Sequence, residues 1–156
     1  PLSRRQRQMC IRDRNINDPD KWLVKGKLQD KEINNLLDEL EITFKTNLDK
    51  YKYPSRFSEI DPHFHRDKNL CFLEKLNSYL KNNKSLNCEH LTFSDYAVFP
   101  FIRQFRNVDQ EWFDKLNFSL LNNWLNQIID SEDFSSIMKK FKKWEPNDLP
   151  IYTNFE

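Results

Sequence analysis

With 156 residues, thirteen Phe, five Tyr and four Trp, the chain has the length and aromatic content of one packed domain that needs no covalent staples. A single glycine disfavours tight hairpins and so favours helices. Three cysteines without regular spacing make no disulfide framework, no apolar run nears the roughly 20 residues of a membrane span, and Pro1–Arg14 lacks the apolar stretch of a signal peptide. These features predict a cytoplasmic protein without a membrane partner.

The net charge of +1 hides an asymmetry: residues 1–14 carry five Arg against one Asp, the remainder 20 Lys and Arg against 23 Asp and Glu. The arm has Arg and no Lys, whereas the rest is rich in Lys and Asn. Read at face value it is a nucleic-acid tether. It also resembles translated sequencing-adapter sequence. On that expectation it is a non-native or disordered arm, outside the fold, and the encoded protein continues upstream of Asn15. Without it the chain is slightly acidic, and no nucleic-acid partner is expected.

Residues 15–30 read as an inter-domain linker: Asn17-Asp18-Pro19-Asp20 is turn chemistry, and Trp22 and Leu23 are its anchors to a core. Asp30 is the expected cap of a helix over 31–53, with Ile33, Leu36, Leu37, Leu40, Phe44, Leu48 and Tyr51 on one stripe. Pro54 ends it. Asp61-Pro62 opens the next helix, as cap and first residue, running to about Leu80. Its expected apolar face holds Phe64, Leu73, Leu76 and Leu80, flanked by Cys71, Phe72 and Tyr79.

Leu86–His90 is a loop leading to the most apolar segment, Leu91–Arg106. Thr92 and Asp95 form a capping box there, with Leu91 and Tyr96 placed as a hydrophobic staple. Beyond it Ala97, Val98, Phe99, Phe101, Ile102 and Phe105 leave little polar surface, which marks a buried helix. Pro100 lies inside it, so the helix either kinks or is held by packing. Asp109 caps a short helix through Trp112 and Phe113. Asn117 starts another, with Leu120, Leu121, Trp124, Leu125, Ile128 and Ile129 on one face. Ser131 leads into a last amphipathic segment through Phe134, Ile137, Met138 and Phe141, and residues 145–156 form an extended tail. The whole predicts an all-α bundle around a core helix near residues 92–106.

Candidate chemistry is sparse. His63 and His65, near Asp61 and Asp67, are two apart, and that spacing turns side chains to different sides of a helix, so no metal is expected. His90 is a lone loop histidine. Cys71 and Cys88 read as buried or half-buried small hydrophobes, because neither sits in the basic helix-start setting of a reactive thiolate. Lys139-Lys140 and Lys142-Lys143 suit the end of a helix. Arg103, inside an apolar helix, needs a carboxylate from another element. Tyr51, Tyr53 and Arg56 place two phenols and a guanidinium at a helix end, where they either line a cleft or seal the core.

Taken together, Leu91–Phe105, Val108-Asp109, Trp112-Phe113, Leu121-x-x-Trp124-Leu125, Ser131-x-x-Phe134, Ile137-Met138 and Trp144 resemble the C-terminal helical domain of the glutathione S-transferases, in a bacterial branch. Asn17-Asp18-Pro19-Asp20-x-Trp22-Leu23 and Tyr51-Lys52-Tyr53-Pro54 are similar to its start. The resemblance covers residues 15–144 and makes 31–144 the helical domain. It implies glutathione as cosubstrate, held by an N-terminal thioredoxin-like domain that this sequence does not show and that carries the thiol-activating residue. It further implies a small-molecule electrophile, a homodimer, a pocket wall drawn from Tyr51, Tyr53, Arg56 and Phe99, and no catalytic residue in this chain. Where family members often have Gly before the cap, this chain has Asn87-Cys88-Glu89-His90; Asn tolerates the left-handed conformation. The alternative is a non-catalytic protein-interaction module built on the same bundle.

Overall fold

The structure is a computed structural model that describes residues 18, 21–23, 30–143 and 145–150. The Arg-rich arm, most of the linker, Trp144 and the end of the tail lie outside the described residues. The elements are α1 (Asp30–Glu39), a π-helical turn (Leu40–Phe44), α2 (Lys45–Lys52), α3 (Pro62–Lys68), α4 (Leu70–Tyr79), α5 (Phe93–Arg106), α6 (Gln110–Asp114), α7 (Ser119–Ile129) and α8 (Glu132–Ile137), with short 3-10 turns at Pro54–Arg56 and Leu80–Asn82. Among the described residues there is no strand, and no helix is long and apolar enough to cross a membrane.

The first helix is continuous from Asp30 to Lys52 but changes pitch in its middle. Leu36, Leu40, Phe44 and Leu48 recur at intervals of four and are all buried. In a regular α-helix that spacing overshoots the 3.6-residue turn, and the stripe wraps away from the core. The π turn, with the Lys45 N–H bonded to the Leu40 carbonyl, absorbs the extra residue and keeps the stripe on one side. Three side chains bond successive carbonyls of the bulge. Thr46 donates to Ile42 at 2.7 Å, Asn47 to Thr43 at 3.0 Å, and Asn69, from between α3 and α4, to Phe44 at 3.1 Å.

Asn69 also marks where the helix expected over 62–80 divides into α3 and α4. The division changes which face is buried. Phe64 is 53% exposed and Cys71 is exposed, whereas His65 is buried, against the face expected from periodicity across the whole segment. The Asp61 cap itself forms as expected, accepting the His63 N–H at 2.9 Å.

Helix α5 occupies the centre, with Val98, Phe99, Ile102 and Phe105 buried, and it contacts α1, α2, α6 and α7. It is one helical element through Pro100, which is exposed. The Asp95 half of its capping box forms, the carboxylate taking the Thr92 N–H, while the Asp95 N–H bonds the Thr92 carbonyl at 3.0 Å; Asp95 also does more than cap. Its carboxylate, 0% exposed, accepts four hydrogen bonds: from the Thr92 N–H at 2.8 Å, the Thr92 hydroxyl at 2.9 Å, the Leu86 N–H at 2.8 Å and the Trp124 indole N–H at 2.8 Å. One side chain thus joins the loop before α5, the start of α5 and the middle of α7. The linker docks on the same end: Trp22 stacks on Tyr96 at 4.5 Å, and its carbonyl accepts the Phe93 N–H at 3.0 Å.

Asp109 caps α6 as expected, accepting the Trp112 N–H at 3.0 Å, and Ser131 caps α8, accepting the Phe134 N–H at 3.2 Å. Helix α7 begins at Ser119, two residues beyond the expected Asn117 start. Phe118 at its cap position has no capping oxygen, and Asn77 of α4 supplies one, accepting the Leu121 N–H at 3.1 Å. Arg103 meets the Phe134 ring at 5.1 Å, so its expected carboxylate partner is replaced by a cation–π contact. Helix α8 ends at Ile137, which leaves Lys139–Lys143 beyond it rather than in its last turn, and Ile137, Met138 and Phe141 exposed rather than packed.

Replacing Asp95 by Ala leaves four donors facing a void. At about 1 kcal/mol or more for each stranded group, the expected loss in urea denaturation is about 4 kcal/mol or more. Thr92→Ala should cost about 1 kcal/mol. Asp95→Asn should not restore the wild-type midpoint, because its amide offers one acceptor oxygen to those donors. Equal losses for Asp95→Ala and Thr92→Ala would show that Asp95 is a cap and nothing more.

Candidate functional site

The candidate residues fall in two places. Tyr51, Tyr53 and Arg56 gather where α2 ends at Pro54. The proline stops the helix, and the following 3-10 turn carries Arg56 back over the Tyr53 ring at 4.1 Å, while Lys52 approaches the same ring at 4.8 Å. Tyr53 is half-buried and Arg56 exposed, so the ring and both cations form a surface group.

Tyr51, two residues earlier, turns inward. It is 6% exposed and packs on Phe105 with ring centroids 5.4 Å apart. Burial raises its phenol above the usual value; the charges of Asp109 and Asp67 push the same way, and Arg66 opposes them. The phenol is therefore a neutral group at pH 7. Arg66 lies over the Trp112 ring at 4.2 Å and pairs with Asp67 at 2.8 Å, so a second stacked guanidinium stands nearby.

Phe99 lies about one and two-thirds turns before Phe105 on α5. It is 5% exposed and meets Trp124 and Phe134 edge-on, at 6.3 and 5.3 Å. Those contacts draw it into the α5–α7–α8 packing, while Tyr51 meets α5 at Phe105 and Tyr53 lies under Lys52 and Arg56 at the end of α2.

Periodicity does not single out the polar buried set beside α2. His65 Nδ1 lies 2.8 Å from the Asn47 side-chain oxygen, both residues being buried. Desolvation lowers the His65 pKa, Lys50 and Lys68 lower it further, and Asp61 opposes them. A signal was present in the sequence, since Asn47 falls on the buried side beside Leu48. Arg106 was also passed over; it forms a two-pronged pair with Asp114 at 2.8 and 3.0 Å and reaches Asn126 at 3.2 Å, tying α5 to α6 and α7. That pairing holds the Asp114 carboxyl below its ordinary pKa. Among the described residues, no group of three or more His, Cys, Asp or Glu is arranged to hold a metal ion. No known protein family, curated protein or solved structure matches the chain.

Two measurements separate scaffold from surface here. Tyr51→Ala removes a buried ring and should cost about 3 kcal/mol, whereas Tyr53→Ala should cost about 1 kcal/mol or less in the same chemical denaturation. The second concerns pH. The unfolded chain binds a proton at His65 near the ordinary value of about 6.5, above the folded chain. Stability at neutral pH should therefore decline as the pH falls through and below that value, and His65→Gln should flatten the decline in melting temperature between pH 7 and 5.

Proposed function

We propose that the bundle is the helical domain of a glutathione transferase-like protein, supplying the wall of the electrophile pocket and part of a homodimer surface. The observation that supports this reading most is the core helix itself. Its Thr92–Asp95 box, the motif that opens the sequence resemblance, is buried and built into the packing of α5 against α7. The all-α architecture is consistent with it.

In this reading Tyr53 and Arg56 face the electrophile. The ring gives a flat apolar surface, and the exposed guanidinium gives a partner for a carboxylate or nitro group. Tyr51 stands behind them as buried support, and Phe99 lies apart, in the packing of α5 with α7 and α8. Glutathione is held by a thioredoxin-like domain, whose sheet has no counterpart among the described residues, and the thiol-activating donor comes from there. The cytoplasm is the compartment in which such a protein would meet reduced glutathione.

Ile137, Met138 and Phe141 are exposed at and beyond the end of α8 and favour one other reading, a protein-interaction module without catalysis. Titrating the chain with S-(2,4-dinitrophenyl)glutathione, followed by tryptophan fluorescence, distinguishes the two. The proposal expects saturable binding, weakened about tenfold by Tyr53→Ala or Arg56→Ala while each variant stays folded with a stability loss of about 1 kcal/mol or less. It also expects no acceleration of glutathione conjugation to 1-chloro-2,4-dinitrobenzene by this chain alone. Absence of saturation, or insensitivity to both substitutions, would favour the interaction module.

A further inference from the structure

The loop before α5 carries a cysteine and a histidine that the helical scaffold does not require. Cys88 Sγ lies 3.5 Å from His90 Nδ1 and 3.9 Å from its Nε2, at the surface of the molecule. His90 Nε2 lies 3.1 Å from the carbonyl of Lys21. A carbonyl only accepts, so this contact places the ring proton on Nε2 and leaves Nδ1, the nitrogen nearer the sulfur, as a proton acceptor. A thiol, an imidazole and an acceptor that orients the imidazole are the parts of an activated nucleophile.

Each part is held by independent structure. The Ser85 hydroxyl bonds both the Cys88 carbonyl, at 2.7 Å, and the Cys88 N–H, at 3.0 Å. The adjoining Leu86 N–H is held by Asp95. Lys21, in a left-handed conformation with φ 54°, is fixed by its N–H to the Asp18 carbonyl at 3.2 Å. The next two N–H groups bond the Asp18 carboxylate, and Trp22 is stacked on Tyr96. Among the described residues, the charged side chains of the two segments are Asp18, whose carboxylate is taken up by the Trp22 and Leu23 N–H groups, and the exposed Lys21 and Glu89.

We infer that Cys88 is a site of thiol–disulfide exchange, with His90 as its base and a low-molecular-weight disulfide as its substrate. The thiol proton has two acceptors, His90 Nδ1 and the His90 carbonyl at 3.2 Å, and of these the imidazole is the one that can carry the proton away. As Sγ attacks one sulfur of the incoming disulfide, its proton passes to Nδ1. A new S–S bond forms at Cys88, the original S–S bond breaks, and the departing thiolate takes the proton from the imidazolium. Cys88 ends as a mixed disulfide, and one half of the substrate leaves as a thiol. The inference goes beyond the transferase reading and does not depend on it.

The molecule contains its own reference, because Cys71 is more exposed than Cys88 and makes no recorded contact with a histidine. The full chain would be exposed to bis(2-hydroxyethyl) disulfide, a neutral probe, and the tryptic peptides holding each cysteine followed by mass spectrometry. Cys88 should form the mixed disulfide about tenfold faster than Cys71 or more. His90→Ala should bring Cys88 to the rate of Cys71 without changing the melting temperature, and added imidazole should restore it in part. If Cys88 reacts no faster than Cys71 in the unaltered chain, or if His90→Ala leaves its rate unchanged, the assignment fails. His90→Gln, which keeps a donor for the Lys21 carbonyl, should be as slow as His90→Ala; a wild-type rate there would also overturn it.

Discussion

A buried carboxylate bonded to four neutral donors holds the molecule together. Asp95 reaches no solvent, and a charge in that position is tolerable only because donors take the place of its lost hydration. Two come from Thr92, one from the loop at Leu86 and one from Trp124 of α7. Those donors are themselves groups that burial would otherwise strand. The arrangement is therefore mutual: the carboxylate needs the loop and α7 in place, and the loop and α7 need the carboxylate. Packing of α5 against α7, the path of residues 85–90 and the entry of the core helix become one condition.

Much of this was readable from local chemistry. Caps depend on neighbours in sequence, so Thr92–Asp95, Asp61-Pro62 and Asp109 stand where turn and cap rules place them. Trp22 was expected as an anchor and stacks on Tyr96. Interactions between distant residues were not readable. Nothing in the spacing says that Asn77 caps α7 or that Trp124 reaches Asp95, because both contacts exist only after α4, α5 and α7 have packed. Phe64 shows how a period misleads: the face was extrapolated across Asn69, where the helix divides and the buried side changes. Arg103 was read by charge and found its partner in a ring.

At the candidate site the sequence showed which residues share a helix end and not which way each one faces. Tyr51 and Tyr53 are adjacent in reading and opposite in role, one closing the core and the other open beneath Arg56. Phe99 belongs to the packing of α8. Cys88 and His90 are two positions apart in sequence, yet the pair takes its meaning from Lys21, 69 positions away from His90. A spacing rule written for helices does not apply inside a turn, where residues two apart do meet.

The π turn in the first helix has a bearing on where the surface tyrosine and arginine point. One extra residue is stored between Leu40 and Phe44, and the side chains of Thr46, Asn47 and Asn69 hold it there. Deleting a single residue from that turn would let the backbone return to ordinary α-helical bonding, at little local cost. Leu48 and Tyr51 would stay on the core side, because the bulge already takes up the rotation of the residue removed. Loss of the bulge with all its residues kept would instead turn everything after it by about 100° about the helix axis, the rotation of one residue. Either Leu48 and Tyr51 would then leave the core, or the end of the helix would swing and take Tyr53 and Arg56 to another part of the surface. The bulge thus sets the bearing of a group more than a turn away.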